Sequence, residues 1–434
     1  MASVHWAAWL LLGGLLALLA ALELRSAVQA LAATLILCLI ALWIFRTVGI
    51  YVGAAIIAAR IGTVLISTLI VEHYISATGA DVEMYRALGK EIADSLWRFG
   101  IWPASGETWG TAAYVNFSGL CYFLFGSNPL VIAFISAGAG AIGSILFYKG
   151  FVQYYGRPSR SLPVLFFWPS VVYWSSIEGK DPWSFLLVGL GFWGISRVFT
   201  SNSRRALGTC LVSSVGLFFL RPHIAVLYLG AIAFCLLFHT RPKTTRQGIS
   251  RAFSVVILLI ALACGIFVQK IWTGSEVETG EIPYQVSERL EGLNTGGSAI
   301  EVPEFSSWTA MAAYIPAGAA TVMFRPFPWE EGDSFLKISS IDQLGLTAII
   351  CLIVANTVSA LRKKRVSAIL RDKLLLFLLG YCTGFVVLML FVSGNLGTLV
   401  REKIQLFPFA LCAAASLRLH SRHPDFQLSV GRKS

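Results

Sequence analysis

Three observations predict an all-α polytopic membrane protein with about 12 transmembrane helices and two large outward-facing loops. Of the 434 residues, 56% are hydrophobic and only 13% are charged, and the mean hydropathy is +0.72. Soluble domains carry about a quarter charged residues, so this balance belongs to a chain whose solvent is mostly lipid. The apolar residues fall in runs near the length needed to cross about 30 Å of hydrocarbon. The basic residues gather in the short gaps between those runs, because a charge held in hydrocarbon is costly. A net charge of +11 distributed in this way describes one face of a membrane protein and not a nucleic-acid surface.

The apolar runs place candidate spans at 6–22, 27–46, 60–76, 129–148, 161–176, 182–199, 207–220, 223–240, 252–270, 341–361, 373–393 and 404–418. The segment 47–59 either extends the second span or lies at the interface. The start, Met1 to Leu22, lacks the basic opening and small-residue cleavage site of a signal peptide, so it reads as the first retained span. Counting Lys and Arg in the short loops sets the orientation. With the N-terminus in the cytoplasm, Arg46 and Arg60, then Lys149, Arg157 and Arg160, then Arg204 and Arg205 all face inward. So do Arg241, Lys243, Arg246 and Arg251, the run from Arg362 to Lys373, and the tail bearing Arg418, Arg422, Arg432 and Lys433. Both termini are therefore expected inside.

This ordering divides the chain into spans one to three (1–76), a first outward loop (77–128), spans four to nine (129–270), a second outward loop (271–340), spans ten to twelve (341–418) and a basic tail (419–434). In the first loop, Asp81 before Val82-Glu83-Met84-Tyr85-Arg86 predicts a helix reaching Arg98, and Thr111 to Phe125 predicts an interfacial or re-entrant partner. The second loop is acidic, with a Gly- and Asn-rich centre from Gly292 to Ser298. Its apolar stretch Met311–Phe324 reads as an element on the membrane surface.

The outward residues that need a reason beyond topology form two sets. Asp81 and Glu83 open the first loop, where a carboxylate can accept a proton from an incoming hydroxyl; helix capping accounts equally for Asp81. The second set is cationic. Lys180 and Asp181 precede Pro182 in a tryptophan-rich turn, a helix start at which the lysine either holds a lipid phosphate or snorkels to headgroups. Arg221 sits alone on its outward turn, where pairing with a glutamate of the loops would also explain it. Arg401 and Lys403 follow Gly394 and Gly397, whose missing side chains allow close backbone approach. With Arg325, these cations suit a phosphate or pyrophosphate leaving group, whose charge grows as its bond breaks.

Several chemistries are disfavoured. The eight cysteines lie mostly in apolar runs with no Cys-x-x-Cys pair, so they read as packing residues. The six histidines show no paired spacing within spans. Gly138, Gly140 and Gly143 fit Gly-x-Gly-x-x-Gly, but inside an apolar span small residues serve helix packing. No cofactor is required, although Asp81 with Glu83 could hold a divalent metal.

Four stretches carry a resemblance: Ala80-Asp81-Val82-Glu83-Met84-Tyr85, Trp168-Pro169-Ser170 through Gly179-Lys180-Asp181, Arg325-Pro326-Phe327-Pro328-Trp329, and Asn395-Leu396-Gly397-Thr398-Leu399-Val400-Arg401. In these, and in its architecture, the chain resembles the bacterial GT-C-type polytopic glycosyltransferases, closest to the membrane proteins of exopolysaccharide and O-antigen synthesis, polymerases included. The order departs in one respect: the family's aspartate loop follows the first span, whereas two spans precede the one leading to Asp81. The resemblance implies a multi-pass enzyme of the bacterial inner membrane that transfers sugar from a polyprenyl-(pyro)phosphate-linked donor to a glycan or lipid-linked acceptor at the outer face. It implies Asp81 as catalytic base, with Glu83 beside it, and basic residues near the outer face holding the lipid phosphate: Lys180, Arg325 and Arg401, with Arg221 and Lys403 in the same cationic set. Partners would be membrane lipids and polysaccharide-assembly proteins, with no nucleic acid. A transporter or flippase of a lipid-linked or anionic glycan shares the cationic site and is the alternative.

Overall fold

The computed structural model describes residues 27–71, 79–103, 109–126, 128–201, 203–238, 282–293, 303–332, 334–363 and 366–422. Among them the regular structure is helical, with no strand. Among the described residues six helices are long and apolar enough to cross a membrane: Val28–Val48, Ile50–Leu69, Pro129–Tyr155, Lys180–Ser201, Leu336–Arg362 and Lys373–Leu390. Helices of this length and composition mark a membrane-embedded protein. The expected spans 6–22 and 252–270, the basic cluster 241–251 and most of the 419–434 tail lie outside the described residues.

The chain divides into two compact units. The first comprises Met1–Lys149, Pro163–Trp193 and Val215–Arg221. Here α1 (Ala27–Val48) and α2 (Ile50–Ile66) form a tight hairpin. Gly49, at φ 85°, supplies the left-handed turn between them. The segment 47–59 is thus neither an extension of the second span nor an interfacial piece; most of it is the first half of α2, which a π-helical stretch (Ser67–Val71) extends.

The segment 77–128, expected as the first outward loop, contains α3 (Gly79–Phe99) and α4 (Thr111–Phe125), which pack on each other. On α3 the buried residues Val82, Tyr85, Ile92 and Ala93 recur at helical spacing, leaving Asp81 and Glu83 on the exposed side. Glycines set the closeness of the crossing. A Cβ at Gly119 would lie 2.6 Å from Ile92, and one at Gly89 would lie 2.5 Å from the Ser118 hydroxyl.

Helix α5 (Pro129–Tyr155) runs from this unit into the other. Its glycines serve packing: a Cβ at Gly140 would strike the Ser175 carbonyl, and one at Gly143 would meet Phe185 at 2.8 Å. The stretch expected as the fifth span, 161–176, is not one helix. It is a 3-10 turn (Leu162–Phe166) followed by the short α6 (Pro169–Trp174), and Pro169 opens the second because proline lacks the N–H that would continue a helix through it. Helices α7 (Lys180–Ser201) and α8 (Arg204–Leu220) follow.

The second unit comprises Gly150–Leu162, Gly194–Ser214 and Pro222–Ser434. Helix α9 (Pro222–Phe238) packs against α14 (Lys373–Leu390), which also touches α11 (Trp308–Phe324) and α16 (Phe407–Arg422). Between them in sequence come α10 (Ile282–Gly292), α12 (Ser334–Arg362), α13 (Val366–Arg371) and α15 (Leu396–Glu402). The apolar stretch expected to lie on the membrane surface is α11, and it buries Met311, Gly318 and Val322 while packing on α12 and α14. Gly394 makes the expected close approach: a Cβ there would lie 2.3 Å from the Leu290 carbonyl.

Candidate functional site

In the first unit, the ends of α3, α4, α7 and α8 collect charged side chains that apolar surroundings should exclude. Glu178, in the turn between α6 and α7, has a fully buried carboxylate. Arg86 of α3 donates to one of its oxygens from Nε at 2.8 Å, and the Tyr122 hydroxyl of α4 donates to the other. The Arg86 guanidinium supplies the opposite charge, and Tyr122 supplies a second donor, so the carboxylate is satisfied as an anion. Two residues further on, Lys180 donates to the Thr111 hydroxyl at 3.1 Å and stands 6.0 Å from the centre of the Tyr85 ring.

Asp181 and Arg221 form a buried ion pair, with side chains 1% and 5% exposed. The sequence suggested a helix cap for Asp181 and a loop glutamate for Arg221. Instead α7 already begins at Lys180, which places Asp181 within its first turn, and that aspartate is the partner of Arg221. Asp81 likewise lies inside the first turn of a helix that begins at Gly79, so its carboxylate favours the positive helix end without occupying the cap position. Asp81 and Glu83 are both exposed, and among the described residues neither belongs to a group of three or more metal-ligating side chains.

Arg60 is a correction of another kind. Counted above as a cytoplasmic loop charge, it lies within α2 with 3% exposure. Its Nη1 donates to the hydroxyls of Ser175 and Ser176 and to the Val172 carbonyl, the last two at 3.0 and 3.2 Å. Its Nη2 donates to the Ser144 hydroxyl at 3.1 Å. The guanidinium thus ties α2 and α5 to the C-terminal end of α6, two residues before Glu178.

Arg325, Arg401 and Lys403 belong to the second unit. Arg325 donates from Nε to Glu330 at 2.6 Å. Lys403, in the 3-10 turn Lys403–Gln405 after α15, is 5% exposed and donates from Nζ to the Arg325 carbonyl and to Gln343 Oε1, the latter at 2.7 Å. Burial lowers the Lys403 pKa to about 7, against the upward pull of Asp342 and Glu330. Arg401 is half-buried in the last turn of α15, a helix capped by Asn395, whose side chain accepts from the Gly397 and Thr398 amides.

Two arrangements escaped sequence reasoning. Glu178 lies between Ile177 and Gly179, where no spacing marks it; its one signal in the sequence is an acidic residue in an aromatic turn. Asp372 was hidden among Arg371 and Lys373, whose charges drew attention to topology. In the structure Asp372 caps α14 through the Leu375 amide. It also accepts the Tyr155 hydroxyl and stands 2.8 Å from His420 Nε2. Ser416 completes the cluster, 2.5 Å from the Tyr155 hydroxyl. All four side chains are buried.

The chain matches no family model, no curated protein and no solved structure.

Proposed function

We propose that this chain is a membrane glycosyltransferase or polysaccharide polymerase using a polyprenyl-(pyro)phosphate-linked donor at the outer face of the bacterial inner membrane, with both termini in the cytoplasm. The observation that carries the reading is the ionic cluster around Glu178, Lys180 and Asp181, at one end of apolar helices. Charges at such a depth are retained where they act on a substrate or hold a residue that does.

In this reading the acceptor hydroxyl oxygen bonds to the sugar's anomeric carbon as the bond to the donor phosphate breaks. The phosphate leaves with the bonding pair, and a carboxylate takes the hydroxyl proton. Asp81 is that base and Glu83 assists, both being exposed where an acceptor arrives. Lys180, which reaches the Thr111 hydroxyl and the Tyr85 ring, offers its charge to the leaving phosphate. Asp181 and Arg221 neutralise each other, so they position the first turn of α7. In the second unit Arg325 is engaged by Glu330, and Lys403 by the Arg325 carbonyl and Gln343. Release of polyprenyl phosphate from a lipid-linked sugar by the purified chain, lost in Asp81→Ala, tests the reading.

One observation favours a second reading, a transporter or flippase of a lipid-linked or anionic glycan. Such a protein needs charge at mid-membrane, and Arg60 is a buried cation within a membrane-length helix. Movement of lipid-linked substrate across a vesicle membrane without carrier release would support it.

A further inference from the structure

The buried Arg60 raises a question independent of the transferase reading: what balances its charge. Its hydrogen-bond acceptors are three serine hydroxyls and one backbone carbonyl, and among the described residues no carboxylate reaches it. An arginine side chain offers five N–H donors in a fixed fork. Nη1 serves three of the four acceptors, and Nη2 serves Ser144 alone. Nε is buried and makes no hydrogen bond. Nε and one hydrogen of Nη2 are therefore left unused. The Nε–Nη2 side of a guanidinium is one that matches two oxygens of a phosphate or carboxylate.

The Ser175 and Ser176 hydroxyls donate to the Val171 and Val172 carbonyls, and Ser144 donates to that of Gly140, so all three act as neutral acceptors towards Arg60 and none balances its charge. One helical turn from Gly140 on α5, the buried Ser136 hydroxyl has no hydrogen-bond partner, and Gly140 is the residue against which Ser175 rests. The buried Ser184 hydroxyl, in the first turn of α7, is also without one. A buried cation with no counter-charge within a membrane-length helix is costly.

We infer that Arg60 forms a binding site for a single oxyanion of the phosphate class, held on the Nε–Nη2 side of the guanidinium. The anion comes either from free phosphate or from a phospholipid headgroup. Carrier release in the transferase assay can fail while this site holds, and the reverse is equally possible, so the two readings are tested separately.

The test uses the full chain. Inorganic phosphate is titrated into the detergent-purified protein, with intrinsic tryptophan fluorescence as the signal. In parallel the protein is placed in nanodiscs of phosphatidylcholine with or without phosphatidic acid, and bound lipid is read by native mass spectrometry. Saturable binding in the first arm identifies free phosphate; retention of phosphatidic acid in the second alone identifies a headgroup. In either arm Arg60→Gln should weaken binding by about 30-fold or more, the loss typical of truncating one member of a buried charged pair. Arg60→Lys, which keeps the charge but not the fork, should fall between. No binding in either arm overturns the site, as does binding that both variants leave unchanged. Should neither variant fold, Ser144→Ala replaces them, and unchanged affinity in that variant overturns the site as well.

Discussion

Asp181 and Arg221 lie 40 residues apart in the chain and meet as a buried ion pair between the first turn of α7 and the end of α8. Each carries a charge that would be prohibitive alone at its depth, so each makes the other tolerable. The pair also fixes where Lys180 stands, one residue before Asp181. Arg221→Gln is expected to cost about 3–5 kcal/mol of stability by stranding the aspartate. Replacing both residues, Asp181→Leu with Arg221→Leu, should restore much of that loss. Unfolding of the single and double variants in detergent, analysed as a double-mutant cycle, measures the coupling.

Lys180 has a different role and a different expected phenotype. Its replacement by Gln leaves the Asp181–Arg221 pair intact, so the unfolding temperature should stay near that of the native chain. If the lysine holds the donor phosphate as it leaves, carrier release should fall by about 30-fold or more. Equal loss of release and of stability would instead mark Lys180 as a structural residue.

The packing of α3 on α4 gives a prediction free of any functional reading. A side chain at Gly119 would overlap Ile92 at 2.6 Å. Gly119→Val should therefore destabilise the chain by about 1–3 kcal/mol through overpacking. An exposed position of the same helix, such as Leu124→Val, should be far milder. Parallel thermal unfolding of the two variants checks this.

Lys403 links stability to pH. Its pKa falls from the ordinary 10.5 to about 7 on folding, so between those values the unfolded chain binds more protons than the folded one. The contribution is fully present above pH 10.5, declines as pH falls, and is gone below about 7. Stability should thus rise with pH across that window, and Lys403→Met should flatten the rise. Any phosphate affinity owed to this ammonium should weaken above pH 7, when the amine is neutral. Unfolding temperatures at pH 7 and pH 9, with and without phosphate, separate the two effects.

How legible these features were follows from the physics of each. Hydropathy located the long helices because burial in lipid demands apolar residues over a fixed length, and α1, α5, α7, α12 and α14 fall on expected spans. The stretch 161–176 is apolar enough for a span, but hydropathy weighs proline lightly, and the helix is interrupted before Pro169. Arg60 was misread because charge counting assumes that cations sit in loops; only its serine partners, 84 to 116 residues away, account for its depth. The pairings of Glu178 with Arg86 and of Asp372 with His420 depend on helices meeting in space, which no local pattern records. Asp181 and Arg221 were each singled out in the sequence, Asp181 at a helix start and Arg221 among the cations suited to phosphate. The structure joins them to each other.

The most direct test of the central claim is release of polyprenyl phosphate when the purified chain, in lipid, meets a panel of polyprenyl-linked sugars. The account predicts release from at least one donor, abolished in Asp81→Ala, with that variant remaining folded in detergent. Full release in Asp81→Ala would contradict the role of the aspartate. No release from any donor, with lipid-linked substrate crossing a vesicle membrane, would contradict the transferase itself.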